Sequence, residues 1–341
     1  MLTLTTFIVS FLVVFLSMPL FRGLAVKLDI LDLPGRRKIH KEAVPLLGGV
    51  AIYAGFILSL LLNLKSIHLF FPILAGATVI LIVGLLDDII KLSALFRLGC
   101  QFLASLFILA SGNRISFLPR SFLGDTVEII ITLVWIIGLT NAYNYLDGMD
   151  GLASGSAVIN LFCFAVILYK NGQLPLGVLA VGLMGACLGF LPYNFKKEKM
   201  FLGDAGSTFL GFILAGIALA GSWASDNMVK IFIPVLILGV PIFDMVFTTI
   251  MRIKEGKIKT LLEWLQYGGK DHFHHYLVDI GLKPHGAVIF IYFVTTSLGI
   301  SAFMVSNDTA IEGFFSLFQA GIIFGIIATL IVVGKRRRSG W

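Results

Sequence analysis

Charge is what this sequence has least of. Only 13% of its 341 residues are charged, against 58% hydrophobic, and the mean hydropathy is +0.97. That balance excludes a soluble domain built around a core and leaves a polytopic membrane protein. Cysteine is equally scarce. Cys100, Cys163 and Cys187 all lie in apolar stretches at unrelated spacings, which excludes a disulfide framework and a thiolate metal signature. Low-complexity segments and convincing internal repeats are absent. The first apolar stretch has no basic leader and no small-residue cleavage site, so it is expected to be a retained helix and not a signal peptide.

What is present is a succession of apolar stretches. About 20 such residues carry a helix across a bilayer. Eleven spans are expected, near 2–21, 45–64, 68–86, 95–111, 126–144, 152–169, 174–193, 205–223, 229–250, 286–305 and 312–334. They predict an all-α bundle, one integral-membrane domain over 1–341. Eleven spans put the two termini on opposite sides. Roughly four fifths of the 26 Lys and Arg fall in one set of connections, the tail Lys335-Arg336-Arg337-Arg338 among them, which predicts a cytoplasmic C-terminus and an outer N-terminus. The net +7 then reads as topology and attraction to anionic headgroups, not as a nucleic-acid footprint. About three quarters of the 19 Asp and Glu share that side or membrane face, and so do the long connections near 22–44 and 251–285. The chemistry is expected at the cytoplasmic face, because intramembrane acids there need a partner.

Four clusters gather on this face. Asp87-Asp88-Ile89-Ile90-Lys91 ends the third span. It is either a solvated helix end with an i,i+4 pair between Asp87 and Lys91, or a carboxylate pair suited to Mg2+ or to general-base work. The second cluster is Asn141-Ala142-Tyr143-Asn144-Tyr145-Leu146-Asp147-Gly148-Met149-Asp150-Gly151-Leu152. Asn141, Asn144, Asp147 and Asp150 recur every third residue and project to one side for as long as the backbone is helical. On its own the run is equally a polar helix end with two Asp-Gly turns or a cation and phosphate site. The company of the other clusters favours the latter. In Phe201-Leu202-Gly203-Asp204-Ala205-Gly206-Ser207-Thr208, Asp204 reads either as an ordinary N-cap or as a Mg2+ ligand beside free helix N–H groups that suit phosphate. Pro192-Tyr193-Asn194 lies just upstream. In Asp271-His272-Phe273-His274-His275 no Cys or spaced acid completes a zinc tetrahedron. Hydrogen bonding to a diphosphate, or orientation of a carboxylate, fits three histidines better.

Other features are softer. Arg36 to Lys41, with Lys38 and His40, followed by Pro45 and Gly48-Gly49, reads equally as a phosphate-binding loop or as positive-inside topology. The ninth span carries Pro234, Gly239 and Pro241 and should bend or break, with Asp244 inside it and Arg252 beyond. Such a break would give either a groove for a long lipid or a kinked packing helix.

Taken together, the clusters resemble the polyprenyl-phosphate N-acetylhexosamine-1-phosphate transferase family, the WecA and MraY group. Asp87-Asp88 with Lys91 matches its aspartate pair, and Asn141 to Leu152 its Asn-Ala-x-Asn-x-x-Asp-Gly-x-Asp-Gly-Leu motif. Phe201 to Ser207 matches its Gly-Asp motif, and Lys38-Ile39-His40 with Pro45 to Gly49 its first cytoplasmic loop. His272-Phe273-His274-His275 follows the His-x-His-His form of the WecA-like branch. The resemblance runs in order along nearly the whole chain.

It implies a multi-pass enzyme of the bacterial inner membrane. An N-acetylhexosamine-1-phosphate, in this branch most commonly from UDP-N-acetylglucosamine, passes to undecaprenyl phosphate with release of UMP. Mg2+, or Mn2+ in its place, assists, and this is the initiating membrane step of cell-envelope polysaccharide synthesis. By resemblance, Asp204 is the chief Mg2+ ligand, Asp87 the base on the lipid phosphate with Asp88 beside it, and both of these acids lie within reach of the metal. Asn144, Asp147 and Asp150 hold nucleotide and metal, Phe201 stacks on uracil, and His272, His274, His275 and Lys91 bind diphosphate. Lys38, His40, Asn141, Asn194 and Arg252 join the substrate-binding set. Direct attack by the lipid phosphate is favoured over a covalent enzyme intermediate. Members are often dimers, and the sequence marks no interface. Thr260 to Lys270 departs from the shorter approach to the histidines in WecA relatives, which leaves the donor sugar open. Two rivals are weaker. A CDP-alcohol phosphotransferase would continue Asp147-x-x-Asp150-Gly151 with Ala-Arg, where this chain has Ser154-Gly155. A transporter or lipid flippase would place its acids near the midplane and between repeats.

Overall fold

A computed structural model describes residues 2–34, 42–195, 200–260, 263, 264, 267, 269, 271–306 and 310–338. Lys38 and His40 lie outside these residues, as does most of the 260–270 departure. The chain is almost entirely helical: α1 (Leu2–Lys27), α2 (Gly48–Leu60), α3 (Leu64–Ile90), α4 (Ala94–Ala110), α5 (Phe122–Leu146), α6 (Leu152–Lys170), α7 (Leu174–Phe195), α8 (Gly203–Ala220), α9 (Asn227–Ile237), α10 (Gly239–Lys254), α11 (Phe273–Asp279), α12 (Pro284–Val305) and α13 (Ala310–Arg338). An all-α expectation omits one small feature. Strand β1 (Leu31–Asp32) pairs antiparallel with β2 (Val44–Pro45), Leu31 opposite Pro45.

Among the described residues, eight helices are long and apolar enough to cross a membrane. The α9–α10 pair, bent by 78° at its break, adds a ninth. The break falls at Leu238, between Pro234 and Pro241, where the missing proline N–H groups and ring clashes weaken the helical ladder. The other two expected spans fall on the shorter apolar helices Gly48–Asn63 and Ala94–Ala110, which are less than the length a bilayer asks for.

Helix α8 is the axis of the bundle. It touches α2, α3, α5, α6 and α7, and it is buried along nearly its whole length. Apolar faces alone could equally meet lipid, as α1 and α13 do. Small residues allow the approach: a Cβ on Gly49 would lie 2.2 Å from the Gly206 Cα, so α2 and α8 meet backbone to backbone. The first loop joins in. Phe201 N donates to Pro45 O at 2.9 Å, Gly48 N to Phe201 O at 3.1 Å and Gly49 N to Leu202 O at 2.9 Å. The central position of α8 brings its N-terminal acid, Asp204, to the ends of α3 and α5, where the other acids are.

Candidate active site

The site begins with how α8 starts. Its N-cap position, Leu202, offers no side-chain cap, so the first N–H groups need another acceptor. Asp88, at the end of α3, supplies it. Asp204 N donates to Asp88 Oδ1 at 2.9 Å and Ala205 N to Oδ2 at 3.1 Å. This corrects the N-cap reading of the segment and the expectation that its first N–H groups are free. Asp204 does not cap its own helix, and two of the N–H groups offered to phosphate are already engaged by Asp88. The Asp204 carboxylate turns sideways instead. Asn144 Nδ2 donates to its Oδ1 at 2.7 Å and to Ser207 Oγ at 3.0 Å. Three helices are thereby joined through Asp88, Asn144 and Asp204.

Asp87 is only 3% exposed. Lys91 does not share its helix face, because it leaves the helix with φ +55°. Asp87 pairs with Arg97 of α4 at 2.6 Å and accepts from Leu92 N at 2.6 Å. Each carboxylate oxygen of Asp87 thus accepts one hydrogen bond and keeps a lone-pair site for another partner.

Helix α5 ends at Leu146, so Asp147 is its C-cap residue and Asp150 lies in the turn beyond. Asn141 turns away to Gln101 of α4, donating at 2.7 Å. Burial first, then the charges of Asp204, Asp88 and Asp150, push the Asp147 carboxyl well above the usual carboxylate range. The turn is clamped at Gly151. Its N–H donates to Asn194 Oδ1, while its carbonyl accepts from Tyr292 of α12 at 2.6 Å. Asn194 also donates to Met200 O at 2.9 Å. Its amide thus ties the turn to the segment entering α8, and both its ends are used within the protein.

The histidine segment packs on the same turn. A Cβ on Gly148 would fall 2.2 Å from His274 Nε2, so only glycine admits the ring there. His274 is wholly buried, and among the described residues its two ring nitrogens have no hydrogen-bond partner. Burial, with His275 and His272 opposing the pull of Asp244, pushes this imidazole down to about 3, which keeps it neutral. The His275 ring lies 4.2 Å from that of His274, and His272 stacks on Tyr145 at 4.7 Å. Arg252 is 1% exposed. It grips Asp271 through Nε and NH2, the latter at 2.7 Å, and stands 4.6 Å over the Tyr267 ring. Burial disfavours the charge on Asp271, but Arg252, Lys257 and His272 hold its carboxyl below the usual range.

A cavity of about 250 Å³ opens between these parts, lined by Arg97, Gln101, Asn141, Asn144, Tyr145, Trp264, Tyr267 and His272 among others. Asn141, Asn144 and His272 of the sequence-predicted set reach it. Phe201 does not line it and stands beside the first loop, its backbone paired with Pro45 and Gly48. Sequence reasoning missed Arg97, Gln101, Ser207, Tyr145 and Tyr292. Only Arg97, a base in the first turn of an apolar helix, carried a signal that could have found it.

Among the described residues, no three carboxylate, imidazole or thiolate groups close around one point at metal-ligand distance. The oxygen donors Asp87, Asp88, Asp147 and Asp204 instead form an open cluster of like charges. That donor set fits Mg2+, which keeps several waters and uses one or two carboxylates together with substrate phosphates.

Fold and site together define a multi-pass membrane protein with an acid- and histidine-rich site at one end of a helix bundle. Comparison with known proteins narrows this. The family model described as Glycosyl transferase family 4 matches residues 70–222. A probable undecaprenyl-phosphate N-acetylglucosaminyl 1-phosphate transferase of Bacillus subtilis is 35% identical over 328 residues, 94% of this chain and 90% of the relative. An undecaprenyl-phosphate alpha-N-acetylglucosaminyl 1-phosphate transferase of Haemophilus influenzae is 29% identical, covering 91% and 90%. A decaprenyl-phosphate N-acetylglucosaminephosphotransferase of Mycobacterium tuberculosis is 28% identical, covering 92% and 85%. The chain belongs to this family of polyprenyl-phosphate N-acetylhexosamine-1-phosphate transferases.

Proposed function

We propose that the chain transfers N-acetylglucosamine-1-phosphate from UDP-N-acetylglucosamine to undecaprenyl phosphate, releasing UMP and starting a cell-envelope polysaccharide. The observation that carries this reading is the convergence of Asp87, Asp88, Asp147 and Asp204 with the histidine segment at one end of the bundle, in a chain that aligns over 94% of its length with a relative of that name. Eleven spans with a cytoplasmic C-terminus would place this end at the cytoplasmic face of the bacterial inner membrane, where a soluble nucleotide and a lipid phosphate can meet. The count rests on the two short apolar helices and the orientation on the Lys and Arg bias.

The reaction brings two phosphate anions together, so charge neutralisation is its main demand. Mg2+ bound among Asp204, Asp88 and Asp87 would polarise the donor diphosphate and offset its charge. The remaining work falls to side chains. Asn144 orients Asp204, and Arg97 is the cation placed to exchange Asp87 for an incoming phosphate. An oxygen of the lipid phosphate attacks the sugar-bearing phosphorus, and the bridging oxygen leaves with UMP. No enzyme-bound intermediate is required.

The test is UMP release from purified protein given undecaprenyl phosphate, Mg2+ and a panel of UDP-N-acetylhexosamines. Release with UDP-N-acetylglucosamine that needs both lipid and metal is the expected result. Release with another sugar alone keeps the chemistry and changes the donor. No release with any donor, from folded protein, would overturn the reading.

A further inference from the structure

The histidine segment beside the acid cluster is too short to hold itself in place. Helix α11 has seven residues, and its N-cap residue, His272, makes no side-chain cap. Isolated helices of this length do not persist in water. The support comes from α10. Asp244, fully buried, accepts from Phe273 N through Oδ1 at 2.6 Å. Thr248 Oγ1 lies 3.1 Å from the same oxygen and 3.3 Å from Asp271 O. Asp244 Oδ2 stands 3.3 Å from His272 Nδ1, and His272 Nε2 lies 3.2 Å from Arg252 NH2. A guanidinium only donates, so the Arg252 contact makes Nε2 the acceptor and puts the imidazole proton on Nδ1, the nitrogen beside Asp244 Oδ2, close to that oxygen without forming a regular hydrogen bond to it. Asp244, Thr248 and Arg252 are spaced by four and form one stripe of α10. The ring they hold is the one stacked on Tyr145 in the cavity wall.

We propose that Asp244 is a positioning residue for the transfer reaction: from α10 it holds His272 as the Nδ1–H tautomer, with its ring against Tyr145 in the cavity wall. Asp244 touches no reacting atom and acts through His272. The inference rests on the transferase reading, but its test does not depend on it alone.

The variant is Asp244→Asn, which keeps size and one oxygen but removes the charge. Two measurements are made in detergent: kcat and KM for UMP release, and the 15N spectrum of histidine-labelled protein with His272 assigned through His272→Gln. The expected result is a kcat lower by about 10- to 100-fold with KM for the UDP-sugar within about threefold, as misplacement of a positioned group produces. The single Nδ1–H signature of His272 should give way to two tautomers. An unchanged tautomer overturns the proposal whatever happens to kcat, since a loss of rate would then come from packing alone. If Asp244→Asn fails to fold, Thr248→Val takes its place, with a smaller loss of kcat and the same spectral change expected; no change in either overturns the proposal. Wild-type protein that releases no UMP defeats the transferase reading, while the spectra still decide the tautomer.

Discussion

Asp147 and Asp271 are the same residue type, both shielded at one end of the bundle, and their surroundings push them in opposite directions. Asp147 faces Asp204, Asp88 and Asp150 and is driven up. Asp271 faces Arg252, Lys257 and His272 and is held down in spite of its burial. The difference divides the site into two kinds of region. The acid region crowds Asp88, Asp147 and Asp204 together as like charges, with Asp87 paired to Arg97, so it is built to receive a further cation from outside. The histidine region is tied together internally: Arg252 neutralises Asp271, and Asp244 is engaged by Phe273 N and Thr248 with His272 beside it. Loss of a charge from the acid region should therefore show in chemistry, and loss of the Arg252–Asp271 pair in stability, with Asp244 reaching the chemistry only through His272.

The sharpest way to break this contrast is Asp204→Asn. In the acid region the lost charge should abolish metal-assisted UMP release, by at least about 100-fold. The thermal midpoint should stay or rise, because one member of a repelling cluster is gone. Near-normal turnover would remove Asp204 from the reacting centre. A fall in the midpoint would show that the acid region is scaffold after all.

Asp271→Asn should do the reverse. It leaves Arg252, 1% exposed, with a buried charge whose partner is gone. Breaking such a pair costs about 3–5 kcal/mol, read as an earlier denaturant or thermal midpoint in detergent. The pH dependence follows from the sign of the shift. A carboxyl held below its ordinary value of 3.8 contributes stability that is present above that value and lost as pH falls through the lower, folded one. Wild-type protein should lose stability in that acid window, and Asp271→Asn should lack this component. A variant as stable as the wild type would mean that the ion pair is not what holds the segment.

The two regions also differ in how far the sequence disclosed them. Apolar spans and polar interruptions are local signals, because a polar residue in a membrane segment is costly wherever its partner lies. Asp87-Asp88, the 141–152 run, Gly203-Asp204 and the histidines could therefore be found by reading along the chain. What each one touches is decided by helix packing. That Asp88 caps a helix 116 residues away, that Asp87 takes Arg97 over Lys91, and that Asp244 seats α11 all depend on which helix ends meet. Periodicity within one helix cannot report this. Gly48-Gly49 read as a phosphate-binding loop as readily as topology. In the structure these glycines admit the Phe201–Leu202 backbone and the close approach of α2 to α8.

The smallest expected effect lies where the histidine region meets the last helix. Lys335 of α13 pairs with Glu255, which also holds Lys257 at 2.7 Å, and Lys257 reaches Asp271 at 3.5 Å. The chain of charges looks like a route from the end of α13 to Arg252. Its members are not equally sheltered, however. The side chains of Lys335 and Lys257 are 45% and 35% exposed, against 2% for Arg252. Solvent-exposed pairs contribute about 0.2–1 kcal/mol and are screened by salt. Glu255→Gln should therefore move the denaturation midpoint slightly at low ionic strength and not at all in high salt, with UMP release within about twofold of wild type. A loss comparable to that of Asp271→Asn, persisting in salt, would extend the compensated scaffold out to α13 and make the last helix part of what positions the histidines.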